Sequence, residues 1–86
     1  MPYVSMFFGI IIRMFYSEHN PPHFHAEYQG TEGIFSFKGE MLLGNIKSKT
    51  ALRLIQEWAV LRKKELEENW KNINEKVGIN KIEPLQ

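Results

Sequence analysis

The chain contains no cysteine, so it has neither a disulfide framework nor a thiolate-bound metal to lean on. That absence suits the cytoplasm, which is the expected location. There is no apolar run of membrane-spanning length, so no membrane role is expected. Net charge is only +1, too small to point to nucleic acid through charge alone. Internal repeats and low-complexity segments are absent too. Met1 to Ile12 is apolar but lacks a basic start and a small-residue cleavage site, and Arg13 follows at once. It reads as a lead-in to a strand rather than a signal peptide. Histidine is scarce, at three residues, and all three fall in one short stretch.

What is present must form one domain, residues 1–86. A domain this small buries a modest fraction of its surface, so it needs a dense core, a bound ion or an oligomer. Aromatics at 13% of residues favour the dense core. The expected fold class is α+β: an antiparallel sheet of about four strands over residues 1–46, with one long helix over about residues 49–77 packed on one face and an extended tail over residues 79–86. Ile10 to Tyr16 is β-branched and aromatic and reads as a strand. Ile10, Ile12, Met14 and Tyr16 share one face, and Ile11, Arg13 and Phe15 the other. Both faces are largely apolar, which predicts a strand that is central or covered on both sides. His23 to Tyr28 reads as the next strand and Gln29 to Gly33 as a turn. Ile34–Phe37 and Glu40–Leu43 form a hairpin about Lys38-Gly39, with Phe35, Phe37, Met41 and Leu43 on one face.

Ser48 is the expected N-cap of the long helix. Its apolar stripe is Ala51, Ile55, Ala59, Leu66, Ile73 and Val77, edged by Leu52, Trp58 and Trp70 and interrupted by Arg62. Gly78 is the expected stop, with Ile79 folding back on Ile73. A helix of that length spans about 42 Å, roughly twice a six-residue strand. Half of it would overhang the sheet unless it crosses diagonally or kinks. That overhang, with the two-sided apolar strand, predicts a homodimer. Trp58 and Trp70 are expected in the core or an interface. Arg62-Lys63-Lys64 is a short basic run, but Glu65, Glu67 and Glu68 follow it. It reads as a solvated helix face, so nucleic acid is a weakly supported partner. Ile82 and Leu85 of the tail are expected to dock on the sheet.

The stretch EHNPPHFHAEY, Glu18 to Tyr28, is the candidate site. Pro21 and Pro22 make a stiff connection that cannot be helical. Beyond it the strand alternation puts His23, His25 and Glu27 on one face and Phe24, Ala26 and Tyr28 on the other. Such a row supports two chemistries. Two imidazoles can share acid and base duty near neutral pH, with Arg13 stabilising developing negative charge. Alternatively His23 and His25 can hold a divalent metal, with His19, Glu18 or Glu27 as a third ligand. The plainer alternative is a polar strand face whose histidines only make hydrogen bonds. Pairing register decides what surrounds them. Tyr16 opposite His23 would line the histidines with Met14 and Ile12, whereas Phe15 opposite His23 would set Arg13 opposite His25 and make a His–Arg–Glu cluster. The sequence leaves both registers open.

The blocks GIIIRMFYSEHNPPHFHAEY, ALRLIQEWA, ELEENW and KIEPL, in that order, resemble a bacterial family of small proteins known as domain of unknown function four-one-six-zero. The residues matching its signature are Arg13, Glu18, His19, Asn20, Pro21, Pro22, His23, His25 and Glu27. The resemblance implies a small protein encoded beside another small protein, a pairing proposed as a toxin–antitoxin module. It implies no catalytic residues. The leading expectation is therefore one component of such a two-protein system. The alternatives are a small ribonuclease or metal-dependent hydrolase working through His23 and His25, and a structural or dimerisation domain with no site. Whether the chain is an enzyme stays open at this level.

Overall fold

The computed structural model describes residues 3–16 and 19–86. Five strands form one antiparallel sheet in sequence order: β1 (Tyr3–Phe7), β2 (Ile10–Arg13), β3 (His23–Tyr28), β4 (Thr31–Ser36) and β5 (Met41–Gly44). Two helices follow, α1 (Lys49–Leu61) and α2 (Lys63–Glu75). The fold class is α+β, as the patterning predicts. Both element counts differ from expectation.

The extra strand is the apolar lead-in. Phe8 and Gly9 both take positive φ, at 50° and 79°, which is the twist a two-residue hairpin turn needs. β1 therefore folds straight back onto β2, pairing Phe7 with Ile10 and Met6 with Ile11. Gln29 and Gly30 repeat the device, at 48° and 78°, so the expected five-residue turn shrinks to two and β4 begins at Thr31. β2 ends at Arg13 rather than continuing to Tyr16.

The second correction concerns the helix, which breaks at Arg62 (φ −108°, ψ 24°). Hydrogen bonding passes through the break: Arg62 N–H donates to the Trp58 carbonyl and Leu66 N–H to that of Arg62. No proline or glycine lies there. The change of direction lets Leu66, Trp70 and Ile73 reach the same core as Ile55, Trp58 and Ala59, and the molecule measures only 34 × 25 × 22 Å. The overhang expected of a straight helix does not exist. Ser48 caps α1 as expected, its hydroxyl accepting from Ala51 N–H at 3.1 Å. The end of α2 comes earlier than Gly78. Lys76 adopts the left-handed conformation, with Val77 N–H bonded to Asn72 and Lys76 N–H to Ile73, a Schellman ending. Val77, expected in the stripe, is exposed.

The core lies on one side of the sheet. Ile10, Ile12, Met14, Phe24, Ala26 and Phe35 are buried there. Trp58 is fully buried and meets Phe24 edge-on at 5.4 Å and stacks on Phe7 at 5.6 Å. Gly39, at φ +86°, lets the β4–β5 turn lie against Gln56 of α1, where a Cβ would come within 2.6 Å of backbone. The opposite side carries no helix. β2 is thus an interior strand of the sheet, covered by the helices on one face only; of the two expected alternatives it takes the central position. Leu43 also changes sides. A bulge lets Met41 pair with Phe35 but Leu43 with Ile34, so Leu43 leaves the Phe35 face and stands 69% exposed.

The tail is tied down by polar contacts. Ile82 N–H donates to the Val4 carbonyl at 2.7 Å. Trp58 Nε1 donates to the Glu83 carbonyl at 2.9 Å, and Ile79 N–H donates to the Tyr16 hydroxyl. Buried Asn69 reads both backbone groups of Asn80, donating to its carbonyl at 2.8 Å and accepting from its N–H at 3.0 Å. Ile82 is buried and Leu85 packs against the core. Replacing Asn69 by Ala removes both bonds and opens a buried gap. The expected loss is about 2 kcal/mol in urea unfolding, with faster amide exchange at Asn80 and Ile82. Asn80→Ala, whose contacts with Asn69 use only main-chain atoms, is expected to stay within about 0.5 kcal/mol.

Candidate functional site

The register question is resolved by β2–β3 pairing: Arg13 lies opposite His25, Ile12 opposite Ala26 and Ile11 opposite Glu27. Directly opposed residues share a sheet face, and their diagonal neighbours remain within reach of long side chains. Arg13 uses that diagonal, and its Nη1 donates to Glu27 Oε1. The two side chains are 32% and 37% exposed, so the pair is partly screened by water and modest in energy.

His23, His25 and Glu27 are half-buried, while Phe24 and Ala26 between them are buried. The imidazoles of His23 and His25 are 5.4 Å apart, ring centre to ring centre. His25 meets Phe15 edge-on at 4.7 Å. His23, at the start of β3, leans on Trp70 of α2 at 5.2 Å, and its Nδ1 donates to the Pro21 carbonyl at 2.8 Å. Neither ring is free: each has partners that orient it. His19 is exposed, and Glu18 lies outside the described residues. Among the described residues, no three His, Asp or Glu side chains gather to hold one metal ion.

The open face forms a shallow concavity of about 340 Å³. Arg13, His25 and Glu27 line it with Phe15, Ile11 and Ile34, and β4 and β5 add Glu32, Leu43 and Asn45. His23 is not among the lining residues. Glu32 and Asn45 were not singled out by sequence reasoning. They hold each other at the sheet edge: Glu32 N–H donates to Asn45 Oδ1 at 3.0 Å and Asn45 N–H to the Glu32 carbonyl at 2.8 Å. Gly44 permits this close approach, since a Cβ there would lie 2.4 Å from Gly33 Cα. The signal available in the sequence was Asn45 directly after Gly44, a turn dipeptide at the end of an apolar strand.

The site is thus an open antiparallel sheet face carrying one ion pair, the oriented imidazole of His25 and an apolar floor, with His23 beside it against Trp70 of α2. Residues 9–71 match the family model described as Domain of unknown function (DUF4160), and the chain belongs to that family. The matched region runs from the β1–β2 turn into α2 and includes every candidate residue named above; β1 up to Phe7 and the tail lie outside it. No curated protein and no solved structure matches the chain. No helix among the described residues is long and apolar enough to cross a membrane.

A double-mutant cycle on Arg13→Ala and Glu27→Ala tests the ion pair. The expected coupling is about 0.5–1 kcal/mol at low salt, shrinking in 0.5 M salt, as befits a half-exposed pair. A coupling of several kcal/mol, insensitive to salt, would show that the pair is desolvated.

Proposed function

We propose that this chain is a protein-binding module, one half of a cytoplasmic two-protein system of the toxin–antitoxin kind, and that it meets its small partner through the open sheet face. The observation that carries this reading is the apolar surface there. Leu43 stands 69% exposed on the edge strand and lines the same concavity as half-buried Ile34, Ile11 and Phe15. Contiguous exposed apolar surface on a chain this small is the usual mark of a docking site. Nucleic acid is less well supported. Arg13 is engaged by Glu27, and exposed Lys63 and Lys64 precede Glu65, Glu67 and Glu68. A homodimer is a further reading. One of its two motives, the overhanging helix, is gone, and the uncovered face is the other.

A hydrolase reading is favoured by one observation, the placing of Arg13 directly opposite His25 in a concavity. There an imidazole would exchange protons with a phosphodiester while the guanidinium faces developing negative charge. Glu27 would have to release Arg13 for that role.

The test is co-expression with the product of the adjacent gene, scored for a co-purifying complex and for growth arrest and rescue. Binding predicts that Leu43→Glu loses the complex and the growth phenotype together, while His23→Ala, outside the concavity, keeps both. Hydrolysis predicts the converse: His23→Ala and His25→Ala each lose the phenotype, stay within about 1 kcal/mol of wild-type stability, and still form the complex.

A further inference from the structure

The two edges of the sheet are treated differently. The β1 edge is covered by the chain itself, where Ile82 N–H donates to the Val4 carbonyl. Among the described residues, no strand lies beside the β5 edge. Edge strands are normally guarded by lysine, proline, an inward charge, a bulge or shortness. β5 reads Met-Leu-Leu-Gly, with all four residues exposed; it has no charge and no proline, and its guards are its four-residue length and its bulge against β4. Its outer row of backbone N–H and C=O groups is a template for one more strand.

The charge beside that edge narrows the occupant. The lining of the concavity holds one cation, Arg13, and two carboxylates, Glu27 and Glu32. Arg13 is taken by Glu27. The Glu32 carboxylate makes no ion pair among the described residues, and it stands on the strand next to β5, close to exposed Leu43. A second copy brings the same surplus of negative charge to the same face, so stacking two copies sets like charge against like. A segment with a basic side chain among apolar ones neutralises Glu32 and covers Leu43 at once.

We propose that β5 accepts an extended segment of the partner protein as a sixth strand, and that this segment carries a lysine or arginine that pairs with Glu32 and apolar side chains that cover Leu43. The proposal rests on the reading of the chain as one half of a two-protein complex. Main-chain bonds along β5 supply the pairing, and the basic residue sets register and selects against acidic segments.

The experiment titrates the full chain with the purified product of the adjacent gene, and follows affinity together with amide hydrogen exchange. The expected result is slowed exchange at the β5 amides that face away from β4. Glu32→Lys is expected to weaken binding at least tenfold and Glu32→Asp only slightly, and the wild-type affinity should fall as salt rises. Far-ultraviolet dichroism and melting of Glu32→Lys, an exposed substitution, establish that the variant is folded. Binding with unchanged β5 exchange, or with full affinity in folded Glu32→Lys, overturns the sixth strand and leaves the two-protein reading standing. No binding at all overturns that reading and the sixth strand with it. Slowed β5 exchange that grows with the concentration of this chain alone overturns the proposal in favour of a second copy.

Discussion

The pairing of Arg13 with His25 is the constraint on which the rest of the molecule depends. Side chains alternate across a strand, so one register assigns every residue of β2 and β3 to a face. In the observed register Ile10, Ile12, Met14, Phe24 and Ala26 all fall beneath the helices. Arg13, His25 and Glu27 fall together on the other side. A slip of one residue between β2 and β3 would set Met14 rather than Arg13 opposite His25 and force one strand to turn its polar row inward. The core would lose apolar burial worth about 2–3 kcal/mol for each large side chain, and a charge taken into the core without its partner costs several more. The hydrophobic core and the polar row are two consequences of a single choice of register.

Trp58 joins that choice to the helices. It touches Phe7 of β1 and Phe24 of β3 with its ring, and reaches the tail with its indole N–H. A helix that continued straight past Leu61 would carry Leu66 and Trp70 beyond a sheet of this size. The break at Arg62 returns them, and Trp70 then closes over Phe37 and His23. One imidazole of the polar row is thereby positioned from the helical layer as well as from its own strand. Asn69, on the same helix, fixes the tail by bonding both backbone groups of Asn80, and the tail in turn covers the β1 edge. The asymmetry of the sheet, closed at one edge and open at the other, follows from these contacts.

With both helices on one side, the other face presents its polar row in a setting half apolar and half charged. Such a face can orient a partner or a substrate through the same residues. Arg13 is held by Glu27, and Phe15 packs against His25. The row is therefore organised before any ligand arrives, which lowers the ordering cost of binding. The two bonds between Glu32 and Asn45, one to the Asn45 side-chain oxygen and one between main-chain groups, extend this order to the bare edge.

The sequence by itself determined the α+β class, the bounds of β3 at His23 and Tyr28, the Ser48 cap, the core placement of Trp58 and Trp70, and the sharing of one face by His25 and Glu27; His23, expected in the same row, leans instead on Trp70 of α2. Each of these follows from local chemistry: a period of two, a hydroxyl before a helical run, or large apolar area. The family was legible too, through the Asn-Pro-Pro-His-Phe-His-Ala block. Tertiary structure alone decided the rest. Either register satisfied the local pattern of β2, and only the joint burial of both strands selected one. Phe8 and Gly9 revealed a hairpin because the lead-in could bury Val4 and Phe7 by folding back. At Arg62 the apolar stripe is interrupted but neither proline nor glycine marks a break; the small sheet imposes it from a distance. The bulge in β5 moved Leu43 to the open face, and with it the part played by Glu32, because a sheet face is a property of pairing and not of a single strand.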